Sequence, residues 1–251
     1  VIWVNGKEVK QEHFSAGELK IKLFGCGKER MDIVWHYEND AELFTIMCIR
    51  DYYASHKAIL YIPYLPHARM DRVKSDSDVF TLKYFCEIIN SLNFKIVWVR
   101  DAHSNVSLAL LDRVEDTSVE PYIHKATLAS NAEVLFFPDE GAMKRYSDKS
   151  PLPYAFGMKK RDWTTGKILG LDIINAENIK DKNVLIVDDI CSRGGTFYHS
   201  AKALMEAGAK SVSLYVTHLE ETVTIGDLPE SDLIKHIYTT ESIFPQMLLD
   251  G

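Results

Sequence analysis

The feature that most constrains this chain is a series of short, continuous apolar runs separated by helix-like stretches. "AILYIPY" (Ala58–Tyr64), "KIVWV" (Lys95–Val99), "EVLFF" (Glu133–Phe137), "NVLIVD" (Asn183–Asp188) and "SVSLYVTH" (Ser211–His218) show little polar alternation. A strand with one wet face alternates; a strand covered on both faces does not, so these runs fit a parallel sheet with helices on either side. Further strands are expected at Leu19–Phe24, Met31–Tyr37 and Lys235–Thr240. Helical patterns fill roughly Asp40–Ser55, Val79–Leu92, Gly141–Tyr146 and Thr196–Ala207, the last stopped by Gly208 as a C′ glycine. Strand and helix in alternation define an α/β fold. The spacing favours two mainly parallel sheets flanked by helices over one large sheet. The polar stretch Glu115–Lys125, with Pro121, is the expected boundary, dividing the chain into 1–120 and 121–251.

At 251 residues the chain is long enough for two cores. Its formal charge of −7 argues against a nucleic-acid coat, and no apolar run approaches a membrane span. Cys26, Cys48, Cys86 and Cys191 form no C-x-x-C pair and no zinc spacing, which suits reduced thiols in the cytoplasm. The start "VIWVNGKEVKQ" lacks the pattern of a signal peptide.

"VLIVDDICSRGGTF" (Val184–Phe197) combines an apolar strand, two adjacent acids and a small-residue loop that opens a helix. Ligands of open α/β sheets bind beyond the carboxyl ends of strands. Asp188 and Asp189 stand there, and side-chain alternation makes it unexpected that both enter the core. Ionised acids in such a place need a cation or hydroxyl donors, which ribose and Mg²⁺ would supply. The glycines let backbone N–H groups approach a phosphate, and the helix presents its positive end. The residues alone leave a plain strand–turn–helix junction open; the ordered combination favours phosphate binding.

The same stretch resembles the phosphoribosyl pyrophosphate motif of type I phosphoribosyltransferases and of the ribose-phosphate diphosphokinases (phosphoribosyl pyrophosphate synthetases). Five further segments resemble the diphosphokinases, in that family's order. "IPYLPHARMDR" (Ile62–Arg72) is similar to the ATP segment P-Y-x-x-x-A-R-x-D-R, and "FSAGELKI" (Phe14–Ile21) to F-S-D-G-E, a loop that reaches a neighbouring subunit's nucleotide. "DAHS" (Asp101–Ser104) resembles D-x-H, "FPDEGAMKR" (Phe137–Arg145) the P-D-x-G pyrophosphate loop, and "MKKRD" (Met158–Asp162) the K-x-R opening of a flexible catalytic loop.

The resemblance implies two tandem phosphoribosyltransferase-like domains, an N-terminal ATP side and a C-terminal sugar-phosphate side. It implies Mg²⁺-dependent transfer of the pyrophosphoryl group of ATP to the anomeric hydroxyl of a ribose 5-phosphate moiety. Lys159 and Arg161 would be catalytic, and Phe14, Glu18, Arg69, Arg72 and His103 would bind ATP. Asp188, Asp189, Ser192, Arg193, Gly194, Gly195 and Thr196 would bind the sugar phosphate. Asp139 and Gly141 would line the pyrophosphate loop, and His103, Asp188 and Asp189 would meet the metal. The partners implied are ATP, ribose 5-phosphate or ADP-ribose, and further copies of the chain in a homodimer or larger homo-oligomer; nucleic acid and membrane are not expected.

The chain departs from the pattern at Ala16 (usually Asp), Met70 (usually Gln), Glu140 (usually His) and Cys191-Ser192-Arg193 (usually Ile-Asp-Thr). It is also shorter than the family at both ends, where the larger assemblies and their regulatory sites are built. Arg193 adds a guanidinium to the loop, which suits ribose 5-phosphate and also a diphosphate acceptor such as ADP-ribose. A phosphoribosyltransferase and a non-catalytic homologue are the competing readings.

Overall fold

The computed structural model describes residues 1–25, 29–161, 168–226, 228 and 231–243. The chain divides into two compact units, Val1–Ser118 and Val119–Gly251.

The first unit contains β1 (Ile2–Val4), β2 (Lys7–Glu8), β3 (Gln11–His13), β4 (Leu19–Ile21), β5 (Arg30–Trp35), α1 (Ala41–Tyr52), β6 (Lys57–Tyr61), α2 (Thr81–Ser91), β7 (Ile96–Arg100), α3 (Asn105–Leu110) and β8 (Val114–Thr117). The sheet order is β2-β1-β5-β6-β7-β8. β5 to β8 run parallel, and β1 and β2 add antiparallel at one edge. β3 and β4 form a separate hairpin, so the strand expected at Leu19–Phe24 is shorter and lies outside the main sheet. Ile33, Trp35, Leu60, Val97 and Val99 pack with Ile46 and Ile49 of α1 and Leu82, Phe85 and Ile89 of α2. Each such side chain, fully buried, contributes about 1.5–3 kcal/mol.

The second unit contains α4 (Glu120–Ser130), β9 (Val134–Phe137), α5 (Glu140–Tyr146), β10 (Tyr154–Arg161), β11 (Ile168–Ile174), β12 (Asn183–Cys191), α6 (Gly195–Glu206), β13 (Ser211–Leu219) and β14 (Ile237–Thr239). Its sheet order is β11-β10-β9-β12-β13-β14, antiparallel only between β10 and β11. β12 explains why its sequence does not alternate. Val184 and Ile186 pack on Phe197, Ala201 and Leu204 of α6, while Leu185 and Val187 pack on Ile123 and Ala126 of α4 and on Tyr146 of α5.

The stretch Glu115–Lys125 is not an irregular connector. It holds the end of β8 and the first turns of α4, with Pro121 in the opening turn of the helix, where its missing N–H costs nothing. Among the described residues no helix is long and apolar enough to cross a membrane.

Candidate active site

β12 runs on to Cys191, three residues past the expected end, so both acids belong to the strand. Alternation then separates them. Asp188 continues the Val184–Ile186 face toward α6. Asp189 continues the Leu185–Val187 face toward α5 and is 5% exposed. As alternation leads one to expect, the two acids do not both enter the core: of the pair Asp189 is buried, and Arg145 Nη1, on α5, lies 3.2 Å from its Oδ2. A buried carboxylate with a cation in reach is tolerable; one without is not.

Asp188 is half-buried, and its Oδ1 accepts the N–H of Asp189 at 2.9 Å. Burial first, then the negative charges of Asp189 and Asp139, push its carboxyl well above the ordinary carboxylate range. Asp139 caps α5, accepting the N–H of Ala142 at 3.0 Å. Gly141 is the second residue of that helix, where a Cβ would press within 3.1 Å of Asp139 Oδ1. Glu140, in the usual place of a histidine, is met by Lys144 at 2.7 Å one turn on. Its charge is therefore answered locally.

The loop after β12 turns through Gly194 at φ +82°, a conformation that favours glycine, and α6 starts at Gly195. The N–H groups of Gly195, Thr196 and Phe197 open the helix and have no acceptor within it. Ser192 is half-buried, and Arg193 and Thr196 are exposed. Cys191 is buried, and burial, with Glu220 and Asp188 nearby, pushes its thiol up to about 12, which makes it a packing residue rather than a nucleophile.

Lys159 and Arg161 were expected at the start of a loop. Their backbone is in β10, paired with Leu171 and Ile168 of β11, with an irregularity between Lys160 and Arg161. β10 pairs with β9 only through Phe156, so its end projects beyond the carboxyl end of β9, on the edge that carries Asp188. The side chains of Lys159 and Arg161, and residues 162–167, lie outside the described residues.

In the first unit, Arg69, Arg72 and His103 follow the carboxyl ends of β6 and β7, and all three are exposed. Arg72 forks onto its neighbour Asp71, Nε to Oδ1 at 2.7 Å and Nη2 to Oδ2 at 3.0 Å. Asp71 is 4% exposed, and the Arg72 guanidinium, helped by Ser104 and His103, holds its carboxyl down to about 2. Asp71 thus orients and partly neutralises Arg72. Met70 is 40% exposed. Asp101 is buried at φ +52°, and the following Ala102 N–H reaches Asp116 Oδ1 at 3.4 Å.

Phe14 and Glu18 stand exposed at the tip of the β3–β4 hairpin, where the Phe14 N–H donates to the Glu18 carbonyl at 2.9 Å. The hairpin base is tied to α1 by the Thr45 hydroxyl, which donates to Gln11 at 2.6 Å.

Among the described residues no three His, Cys, Asp or Glu side chains form a ready metal cage. Mg²⁺ usually keeps several waters and takes one or two carboxylates plus substrate phosphates. Asp188, an acid whose ionised form is disfavoured until a cation arrives, fits that mode. Arg145 is the residue that sequence reasoning missed. It lies within "FPDEGAMKR", where nothing local signals a partner on β12.

Two parallel-rich α/β units with acids and a glycine loop at the carboxyl end of a strand define a phosphoribosyltransferase-type fold. The phosphoribosyl transferase domain model matches residues 142–238. A crystal structure of phosphoribosylpyrophosphate synthetase from Mycobacterium smegmatis superposes with a TM-score of 0.73 at 17% identity, covering 95% of this chain and 84% of that one. A ribose-phosphate pyrophosphokinase of Saccharolobus solfataricus is 32% identical over 185 residues, 71% of this chain and 62% of the relative. Ribose-phosphate pyrophosphokinase 2 of Archaeoglobus fulgidus is 28% identical over 209 residues, 82% of this chain and 73% of that protein. The chain is similar to ribose-phosphate pyrophosphokinases over most of its own length, and it spans between three-fifths and three-quarters of the length of these two relatives.

Proposed function

We propose that the protein transfers the pyrophosphoryl group of ATP to the anomeric hydroxyl of ribose 5-phosphate, giving phosphoribosyl pyrophosphate and AMP. The observation that carries this reading is the half-buried Asp188, its carboxyl pushed up, next to the glycine loop that opens α6. The anomeric oxygen bonds to the β-phosphorus, the bond from that phosphorus to the oxygen bridging to the α-phosphate breaks, and the hydroxyl proton leaves to solvent. Phosphoryl transfer of this kind is chiefly positioning and charge neutralisation.

Asp188 and Asp189 hold the ribose hydroxyls, with Arg145 fixing the orientation of Asp189. Residues Ser192 to Thr196 hold the 5-phosphate. Asp139 and Gly141 border the new pyrophosphate, and Lys159 and Arg161 meet charge that develops in transfer. Arg69 and Arg72 bind the ATP phosphates, His103 stands at the Mg²⁺–ATP unit, and Phe14 and Glu18 contact the nucleotide of a second copy of the chain. Bound Mg²⁺, met by His103 in the first unit and, as a separate ion, by Asp188 and Asp189 in the second, would neutralise phosphate charge.

Exposed Arg193 favours one variant of this reading, in which ADP-ribose is the acceptor of the same group. The phosphoribosyl transferase domain match supports a second reading, consumption of the activated sugar with a nucleobase. An AMP-release assay with ATP and Mg²⁺, offering ribose 5-phosphate and ADP-ribose separately and together, tests the proposal. AMP that depends on ribose 5-phosphate is the expected outcome. AMP dependent only on ADP-ribose moves the acceptor, and no acceptor-dependent AMP refutes the reaction.

A further inference from the structure

The segment that follows β13 returns to the end of β12 and the loop after it, touching four consecutive residues, 191 to 194. The Glu220 N–H donates to the Cys191 carbonyl at 2.8 Å. The hydroxyls of Ser192 and Thr222 lie 3.0 Å apart. Gly226 approaches Arg193 so closely that a Cβ there would overlap the Arg193 carbonyl oxygen, and a Cβ on Gly194 would strike the Leu228 side chain. The segment is itself anchored, since Val223 is 2% and Leu228 3% exposed and both join the α6 core.

We propose that residues 220–226, with Leu228, form a strap that holds the loop in its anion-binding shape, and that Thr222 and Gly226 are positioning residues for the acceptor's phosphate. The inference rests on the reading of Ser192–Thr196 as the sugar-phosphate loop. A loop with two glycines has many conformations, and few of them converge their N–H groups on one phosphate. Contacts at 191, 192, 193 and 194 remove that freedom before the ligand arrives, which raises affinity by pre-organisation. The strap touches the loop through its outer backbone and one hydroxyl, leaving the helix-opening N–H groups of α6 to the ligand. Of the Ser192 and Thr222 hydroxyl protons, one satisfies the pair and the other remains for a phosphate oxygen.

Thr222→Val removes the hydroxyl at nearly constant volume, and Gly226→Ala drives a methyl group against the Arg193 carbonyl. Leu228→Ala uncovers Gly194 and serves should Gly226→Ala not fold, as judged by circular dichroism and melting. Ribose 5-phosphate binding is measured by calorimetry, alongside the Michaelis constants for ribose 5-phosphate and for ATP. Gly226→Ala should weaken ribose 5-phosphate binding roughly tenfold, and Thr222→Val and Leu228→Ala about three- to fivefold. The ATP constant should stay within about twofold, and Thr222→Ser should restore binding. Unchanged ribose 5-phosphate affinity in the folded variants, an equal rise in the ATP constant, or a wild-type protein that binds no ribose 5-phosphate would each overturn the strap. Wild-type binding without AMP formation would instead refute the proposed reaction, and the calorimetric comparison would still decide the strap.

Discussion

The two units share a plan and differ in the charge at the carboxyl edge of their sheets. In the first, exposed Arg69, Arg72 and His103 follow β6 and β7 beside two buried acids, Asp71, which orients Arg72, and Asp101. In the second, Asp188 and Asp189 end β12 and Asp139 follows β9, with one cation, Arg145, orienting Asp189. Under the proposed reading one edge takes an anion, and the other takes hydroxyls and a cation beside a phosphate loop. Two units of like architecture would then serve two ligand chemistries through the few residues that follow each strand, which is where α/β sheets take their ligands.

The comparison breaks most sharply at Lys159. If it acts on charge that develops in transfer, Lys159→Ala should lower kcat by about 10²–10³ while ATP affinity in calorimetry changes less than about threefold. Equal losses in both would make it a ground-state ligand of ATP instead.

The first unit's edge is tested at its arginines. Arg69→Ala and Arg72→Ala should each raise the Michaelis constant for ATP roughly five- to tenfold while that for ribose 5-phosphate stays within about twofold. A rise confined to the ribose 5-phosphate constant would take the ATP phosphates off this edge.

Arg145→Met probes the matching pair in the second unit. It removes the cation that faces buried Asp189, and stability should fall by about 2 kcal/mol, below the 3–5 kcal/mol or so of a fully buried pair. The discount follows from Arg145, whose side chain keeps 25% of its surface in water. A melting temperature unchanged by the substitution would show that Asp189 has another partner of equal strength.

The smallest effect concerns Asp71. Its carboxyl is held near 2 in the fold against an ordinary 3.8, so its contribution is present above pH 3.8 and is lost as pH falls through about 2. Asp71→Asn should lower stability by about 0.5–1 kcal/mol at pH 7, since Arg72 is largely in water. The gap to wild type in thermal melts should hold down to the ordinary carboxylate range and close below it. A gap that closes near neutral pH would assign it to another group.

Much of this was legible in the residues. β9, β12 and β13 are apolar runs because both their faces are buried, whereas β7 is apolar yet alternates between buried and half-buried positions, and Asp-Asp followed by Gly-Gly-Thr marks where a strand becomes a loop and then a helix. β10 and β11 were missed because "YAFGMKKR" and "ILGLDII" mix glycine and charge, as strands near a sheet edge are free to do. α4 was hidden by Pro121, which breaks a helix interior but suits its first turn. Asp189–Arg145 spans elements far apart in sequence, and the strap meets its loop only through tertiary packing, so neither has a local signal. Glu140 reads as an uncompensated charge until the helical register places Lys144 beside it.

The central claim, that this chain makes an activated sugar rather than consuming one, is tested most directly by ³¹P NMR of protein, ATP, Mg²⁺ and ribose 5-phosphate. The account predicts AMP and a sugar 1-pyrophosphate appearing in equal amounts, with no ADP. ADP and a singly phosphorylated product, or no product that depends on ribose 5-phosphate, would contradict it.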